Sequence, residues 1–495
     1  MFNNNDSVRL IFGLKIKTLR QQQGLNFQQL SKVTDIAVSY LHDIENGKKY
    51  PKADKIITLA KALKVDYDYL VSLNATKRLQ PIIELLNSDF MNVIPWSHFG
   101  LNPSSLLELF ANTPDKVTAF ISTLLKLSRS VQMSKENFYT SALRSYQDIH
   151  DNYFEELETA SRQFRVKAKM KDALPVNAEI MELNLKKHFD ITVDRTALSH
   201  QGPLQEIRSY YSICKKVLYL NKGLTATQEK FLIGREIAFQ FLNLQPRPYQ
   251  TMVQDAESFD VLLNNFKASY FSSALLMPED IFTEDIRKIT SSQKWTEKSW
   301  VDLIAKYDVT PEMLMQRLTN ILPSHFGIDQ LFFLRMSGTV AEDYYDMTKE
   351  LHLSQLHNPY ANALNEHYCR RWVAISSMQE VHDKMQNDNY KLPVIQAQTS
   401  QYWQTHNRYF CLSFAKPIAN SDKISSVTIG ILIDSKSIQT LPFINDHTVP
   451  VRTVHTTCER CGIMDCKERI YNAVFIEKDQ VKSEVEQALK LLDNL

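Results

Sequence analysis

The chain has 495 residues, too many for one hydrophobic core, so roughly two to four domains are expected. Its 44% hydrophobic and 23% charged residues are those of an ordinary soluble globular protein. A formal charge of +1 excludes a strong chain-wide preference for nucleic acid or membrane, so charge must be read locally. The first residues, Met1 to Asp6, lack the basic-then-apolar pattern of a secretion signal. No apolar run approaches the ~20 residues that span a bilayer. Of the cysteines, Cys458, Cys461 and Cys466 crowd together, whereas Cys214, Cys369 and Cys411 lie far apart. That is sparser than a disulfide-stapled secreted protein, and a cytoplasmic location is expected.

Residues 1–80 hold 13 Lys or Arg against 7 Asp or Glu, the local excess of a small nucleic-acid module. Apolar spacing predicts four short helices there, carrying Leu10, Leu14 and Leu19; Leu30 and Val33; Tyr40, Leu41 and Ile44; and Ile56, Leu59 and Leu63. Gly24 can close one helix and Asn26 cap the next, while Asn46-Gly47 supplies a turn. Helices over about 26–33 and 37–45 have the lengths of a helix-turn-helix, whose second helix enters the major groove. The segment from Leu19-Arg20 through Gly24-Leu25-Asn26 to Ser39–Pro51 resembles the lambda-repressor/Xre family. The resemblance implies that Ala37, Val38, Ser39, His42 and Asp43 face the groove, with Arg20, Gln28, Lys48 and Lys49 near the DNA backbone. Glu45 would hold the domain's own turns together. Phe27 stands where the family has a phosphate-touching Gln, and Ala37 replaces its Ser or Thr cap; weaker phosphate contact is implied.

Helices are expected over 103–127 and 135–170, the second with an aromatic stripe suited to packing. Short strands follow at Ile191–Val193 and Lys216–Leu220, then a long helix capped by Thr225. This order resembles the ImmA/IrrE metallopeptidase domains, whose active members carry His-Glu-x-x-His on that helix, two zinc ligands flanking a general base. The five matching residues here are Arg235-Glu236-Ile237-Ala238-Phe239. The family's second landmark is matched by Ser269–Pro278, but no carboxylate occurs between Leu263 and Tyr270 for a third ligand. The resemblance therefore implies a scaffold without peptidase activity, its Glu236 in a salt bridge to a helix neighbour or on an exposed face. A further helix start is expected at Val309-Thr310-Pro311-Glu312 within a helical region from Trp295 to Leu322.

Beyond it, strands are expected at Gln330–Arg335, Arg371–Ile375, Tyr409–Ser413 and Val427–Ile433, the last central because it is rich in β-branched residues. Val481, Val485, Ala488, Leu489 and Leu492 mark a terminal helix. The expected fold class is multidomain: an all-α helix-turn-helix domain over 1–72, a helical linker or dimerisation region over 73–175, an α+β degenerate metallopeptidase-like domain over 176–325 and an α/β sensor-like domain over 326–495. Cys458 and Cys461 form a Cys-x2-Cys knuckle that, with Cys466 and His455, could hold a structural zinc. A redox thiol pair and simple packing are the other readings of these cysteines.

Taken with Asn152-Tyr153-Phe154, Leu275–Pro278, Arg371-Trp372 and the Cys458, Cys461, Cys466, Arg469 set, the order of parts resembles the short-chain fatty acyl-CoA regulator family. That resemblance implies a non-enzymatic transcriptional regulator that binds double-stranded operator DNA as a homodimer and responds to an acyl-CoA or related metabolite. Arg335, Arg370 and Arg371 are the candidate cations for the ligand's phosphates. The alternatives are a protein-interaction regulator of toxin–antitoxin or phage type and a metal-dependent peptidase acting on a repressor.

Overall fold

The computed structural model describes residues 4–72, 98, 135–170, 174–200, 202–204, 207–251, 258–353, 366–385, 393–418 and 421–493. The helix expected over 103–127 lies outside them. Contacts divide the chain into two units, residues 1–146 with 254–263 and residues 147–253 with 264–495. The architecture is multidomain, with all-α N-terminal helices, a mixed α+β middle and a C-terminal α/β region that has its own sheet.

In the first unit, α1 (Asn4–Gln22), α2 (Phe27–Thr34), α3 (Val38–Glu45), α4 (Ala53–Ala62) and α5 (Tyr67–Val71) enclose a core of Phe12, Ile16, Leu30, Ile36, Leu41, Ile44, Ile56 and Leu59. The turn between α1 and α2 forms as the sequence dictates. Gly24 adopts φ +65°, and the Asn26 side chain accepts from the Gln29 amide while the Gln29 side chain accepts from the Asn26 amide. Ala37 begins α3 with no side-chain cap. Gly47 sits at φ +68°, and a Cβ there would lie 2.4 Å from Leu10 Cδ2. Gly47→Ala is therefore expected to cost this bundle about 1–2 kcal/mol, through left-handed strain and displacement of Leu10. Hydrogen exchange at the Leu41 and Ile44 amides should accelerate by roughly tenfold; unchanged protection would refute the close-approach argument.

Helix α6 (Lys135–Ile149) is separated from α7 (Glu155–Lys167) by Asp151 and Asn152, at φ 49° and 51°. Then come α8 (Ala178–Phe189), β1 (Thr192–Asp194), β2 (Ser209–Ser212), β3 (Val217–Leu220) and α9 (Ala226–Phe241). The small sheet has the order β1-β3-β2, with β1 parallel and β2 antiparallel to β3. Helices α10 (Phe259–Leu276), α11 (Glu279–Thr290), α12 (Glu297–Tyr307) and α13 (Pro311–Phe326) follow. Thr225 and Thr310 cap α9 and α13 through their hydroxyls. The Asn152-Tyr153-Phe154 segment ties these helices together. Asn152 Nδ2 donates to Thr319 Oγ1 at 2.8 Å, and Phe154 packs edge-on against Phe266 and Tyr270. Beside it, the fully buried Arg317 and Glu158 form an ion pair.

The C-terminal region contains β4 (Leu331–Thr339), β5 (Tyr344–His352), α14 (Val373–Met385), β6 (Val394–Tyr402), β7 (Arg408–Pro417), β8 (Ile424–Leu432), α15 (Ser435–Thr440), β9 (Val451–Val454) and α16 (Val474–Asp493). The sheet order is β5-β4-β8-β7-β6-β9, with β8 internal as its β-branched sequence predicts. The expected strand at Arg371–Ile375 is instead the start of α14. Val373, Ile375, Met378 and Val381 are buried, and the alternation of Val373 with Ile375 imitated a strand over too short a window. The two sheet faces have different partners. Leu331, Phe333, Phe410, Leu412, Ile429 and Ile431 join a core shared with α7 through α13, while Phe332, Leu334, Met336, Tyr409 and Cys411 pack with α14 residues.

Candidate functional site

In α3 and the loop after it, Ala37, Val38, Ser39, His42, Lys48 and Lys49 are exposed and Asp43 is half-buried; Gln28 is exposed on α2. The α3 backbone is fixed from beneath by Leu41 and Ile44, so its outer face is presented on a rigid element. Lys49 pairs with Asp43 at 3.0 Å and holds the Asp43 carboxyl below its ordinary pKa. Arg20 belongs elsewhere. It is 8% exposed, and its Nε and Nη2 donate to the two Glu45 oxygens at 2.6 and 2.8 Å. Its guanidinium also stacks 4.2 Å from the Phe27 ring centroid. Arg20 is thus part of the domain's interior and not of the DNA-backbone set expected for it: its charge is matched by Glu45, and Phe27 is half-buried beneath it.

On α9, Glu236 is buried. It is held by a residue beyond the helix, which replaces the expectation of a helix neighbour or an exposed face. Arg247 Nη1 and Nη2 donate to the Glu236 carboxylate at 2.8 and 2.6 Å, and Gln240 Nε2 donates at 2.8 Å. The guanidinium lies 3.8 Å from the Phe239 centroid and 5.2 Å from those of Tyr211 and Tyr249. Phe239 thus makes the floor of a cation site whose occupant is Arg247.

The family described as Helix-turn-helix matches residues 16–70, and that described as IrrE N-terminal-like domain matches residues 187–319. This chain carries an N-terminal helix-turn-helix domain and a degenerate IrrE-like middle domain. Among solved structures, a Mycobacterium tuberculosis transcriptional regulator is similar at 16% identity and a TM-score of 0.48, covering 67% of this chain and 93% of that one. Comparison with curated proteins finds no match.

Where the IrrE-like domain meets the large sheet, cations collect. Arg335 follows Leu331 and Phe333 in the two-residue period of β4, and Lys416 follows Phe410, Leu412 and Phe414 in that of β7. Lys349 stands directly opposite Arg335 across β4 and β5. Like charges set opposite on neighbouring strands repel. From α9, Arg235 adds a second guanidinium, and its Nε is buried without a hydrogen-bond partner. The described ion pairs give this cluster one carboxylate, Glu312, at 3.8 Å from Arg335 and 3.7 Å from Lys349. Burial and then the neighbouring Arg247 push Arg235 down to about 10. Burial first, with Arg335 adding to it, lowers Lys349 and Lys416 as well. Yet 49% of the Lys349 side chain remains accessible. Lys416 is exposed as well, so the cluster presents an accessible cationic patch at the edge of the apolar core.

Of the three arginines expected to meet a ligand, the structure brings only Arg335 to this cluster. Arg370 is 5% exposed, donating to Asp343 at 2.9 Å and to the Tyr368 carbonyl at 2.7 Å; its role is structural. Arg371 donates to Glu468 at 2.8 Å and to the Thr453 carbonyl at 3.1 Å, which occupies it likewise. Sequence reading missed Arg235, Lys349 and Lys416. The usable signal was a cation continuing an inward-facing apolar stripe.

The expected structural zinc at Cys458, Cys461, Cys466 and His455 is overturned: among the described residues no group of three His, Cys, Asp or Glu is arranged to hold a metal ion. The knuckle is held by Arg469, which donates to the carbonyls of Cys458, Cys461 and Ile463 at 2.8, 2.7 and 2.9 Å. Burial raises the Cys461 thiol and pushes Cys369 up to about 11, which favours packing over thiolate chemistry.

Proposed function

We propose that the protein is a sequence-specific transcriptional regulator that binds double-stranded operator DNA as a cytoplasmic homodimer, under the control of a polyanionic metabolite with a short apolar tail. The observation that carries the DNA reading is the exposed first turn of α3, Ala37 to Ser39, with His42 on the same outer face and Lys48 and Lys49 beside it. Base edges would be read by the helix and phosphates neutralised by the lysines. The cationic cluster of Arg235, Arg335, Lys349 and Lys416 supports the effector class, because its cations adjoin the apolar stripes of β4 and β7. A short-chain acyl-CoA has that chemistry. Such a ligand regulates only if it binds the DNA-competent and incompetent states unequally. In this reading the IrrE-like domain is a scaffold and not a peptidase, a view supported by the Arg247 guanidinium seated on Glu236.

Selection from a random duplex library at low ionic strength tests the proposal. A defined sequence preference is expected, and absence of any preference with and without acyl-CoA would sink it. Lys48→Ala with Lys49→Ala should weaken binding to all duplexes and reduce the slope of log affinity against log salt by about 1–2. His42→Ala should instead alter sequence preference at one or two positions.

A further inference from the structure

Helix α16 projects a surface that the other described residues leave open. Its first turn is anchored: the Phe475 amide donates to the Glu459 carbonyl at 3.2 Å, and the Arg460 guanidinium lies 4.3 Å from the Phe475 centroid. Beyond that turn every described side chain from Glu477 to Leu491 is exposed, including Val481 at 60% and Val485 at 53%. Apolar residues left in water on a helix about 30 Å long call for a covering partner.

The spacing says which partner. Placing Lys478 and Val485 at heptad position a puts Val474, Val481 and Ala488 at d, and leaves Asp479, Gln480, Ser483, Glu486 and Gln487 on the outer face. Glu477 and Glu484 then occupy g, while Lys482 and Leu489 occupy e. In a parallel pair, g of one helix meets the following e of the other, so Glu477 meets Lys482 of the second copy and Glu484 lies beside Leu489. An antiparallel pair sets g against g and brings glutamates together. Lys478 at a costs stability but fixes register, and in the parallel pair it lies beside Glu477 of the second copy.

We infer that α16 pairs in parallel with α16 of a second copy of this chain, forming a short coiled coil along Val481, Val485 and Ala488. This deepens the homodimer reading above and rests on it.

Sedimentation equilibrium of the full chain without DNA tests the pairing. The unaltered protein should be a dimer, and Val481→Asp with Val485→Asp should raise the dimer dissociation constant at least tenfold. Ser483→Asp, on the outer face, should leave it unchanged, and far-UV circular dichroism should show α16 retained in both. Lys482→Glu should weaken the dimer, and adding Glu477→Lys should restore it. A monomeric unaltered protein, an unchanged mass in the double aspartate variant, or failure of the charge swap to restore the dimer would each overturn the inference. Since mass is read without DNA, these failures leave duplex recognition to its own selection experiment.

Discussion

Replacing Lys349 and Lys416 together with methionine is expected to remove most of the affinity for a short-chain acyl-CoA while leaving the fold as stable or more so. Methionine keeps the apolar stem and deletes the charge. Each charge-assisted contact to phosphate contributes about 1.5–3 kcal/mol, so the pair should account for roughly a hundredfold or more in affinity. The unliganded protein should gain. Both lysines are lowered from 10.5, so folding disfavours their charged forms. That penalty is fully present below their folded pKa values and is relieved as pH rises toward the unfolded value. The variant should therefore be stabilised most at neutral pH. Calorimetric titration with propionyl-CoA checks the affinity, and thermal unfolding checks the stability. Unchanged affinity would remove the cationic cluster from the effector reading.

The helix-turn-helix was legible because its signals are local: Gly24 and Asn26 each act within a few residues of themselves. The same locality exposed β8, a strand rich in β-branched residues, and concealed β5, whose sequence intersperses Asp346, Lys349 and Glu350 at a sheet edge. The cationic cluster was illegible for the opposite reason. Arg235, Glu312, Arg335, Lys349 and Lys416 come from five elements that meet only through the fold. Loss of both histidines around Glu236 could be read directly, but its replacement partner lies 11 residues on, outside the helical period. The cysteine spacing suggested a metal because spacing is all a sequence displays. The carbonyls gathered by Arg469 depend on backbone geometry that spacing does not encode.

Arg247→Met should destabilise the second unit by about 3–5 kcal/mol, because it strands the Glu236 carboxylate where both partners have 3% exposed side chains. Gln240 would still donate one hydrogen bond, and the nearby Arg235 would still lend positive charge to the carboxylate. Partial compensation from Arg235 places the expected cost toward the lower end. Urea unfolding of the variant at pH 8 should show this deficit. Adding Glu236→Gln should recover most of the stability at pH 8, because a neutral amide needs no counter-charge. A cost under about 1 kcal/mol at pH 8, or no recovery in the double variant, would mean that the guanidinium is not what neutralises this site.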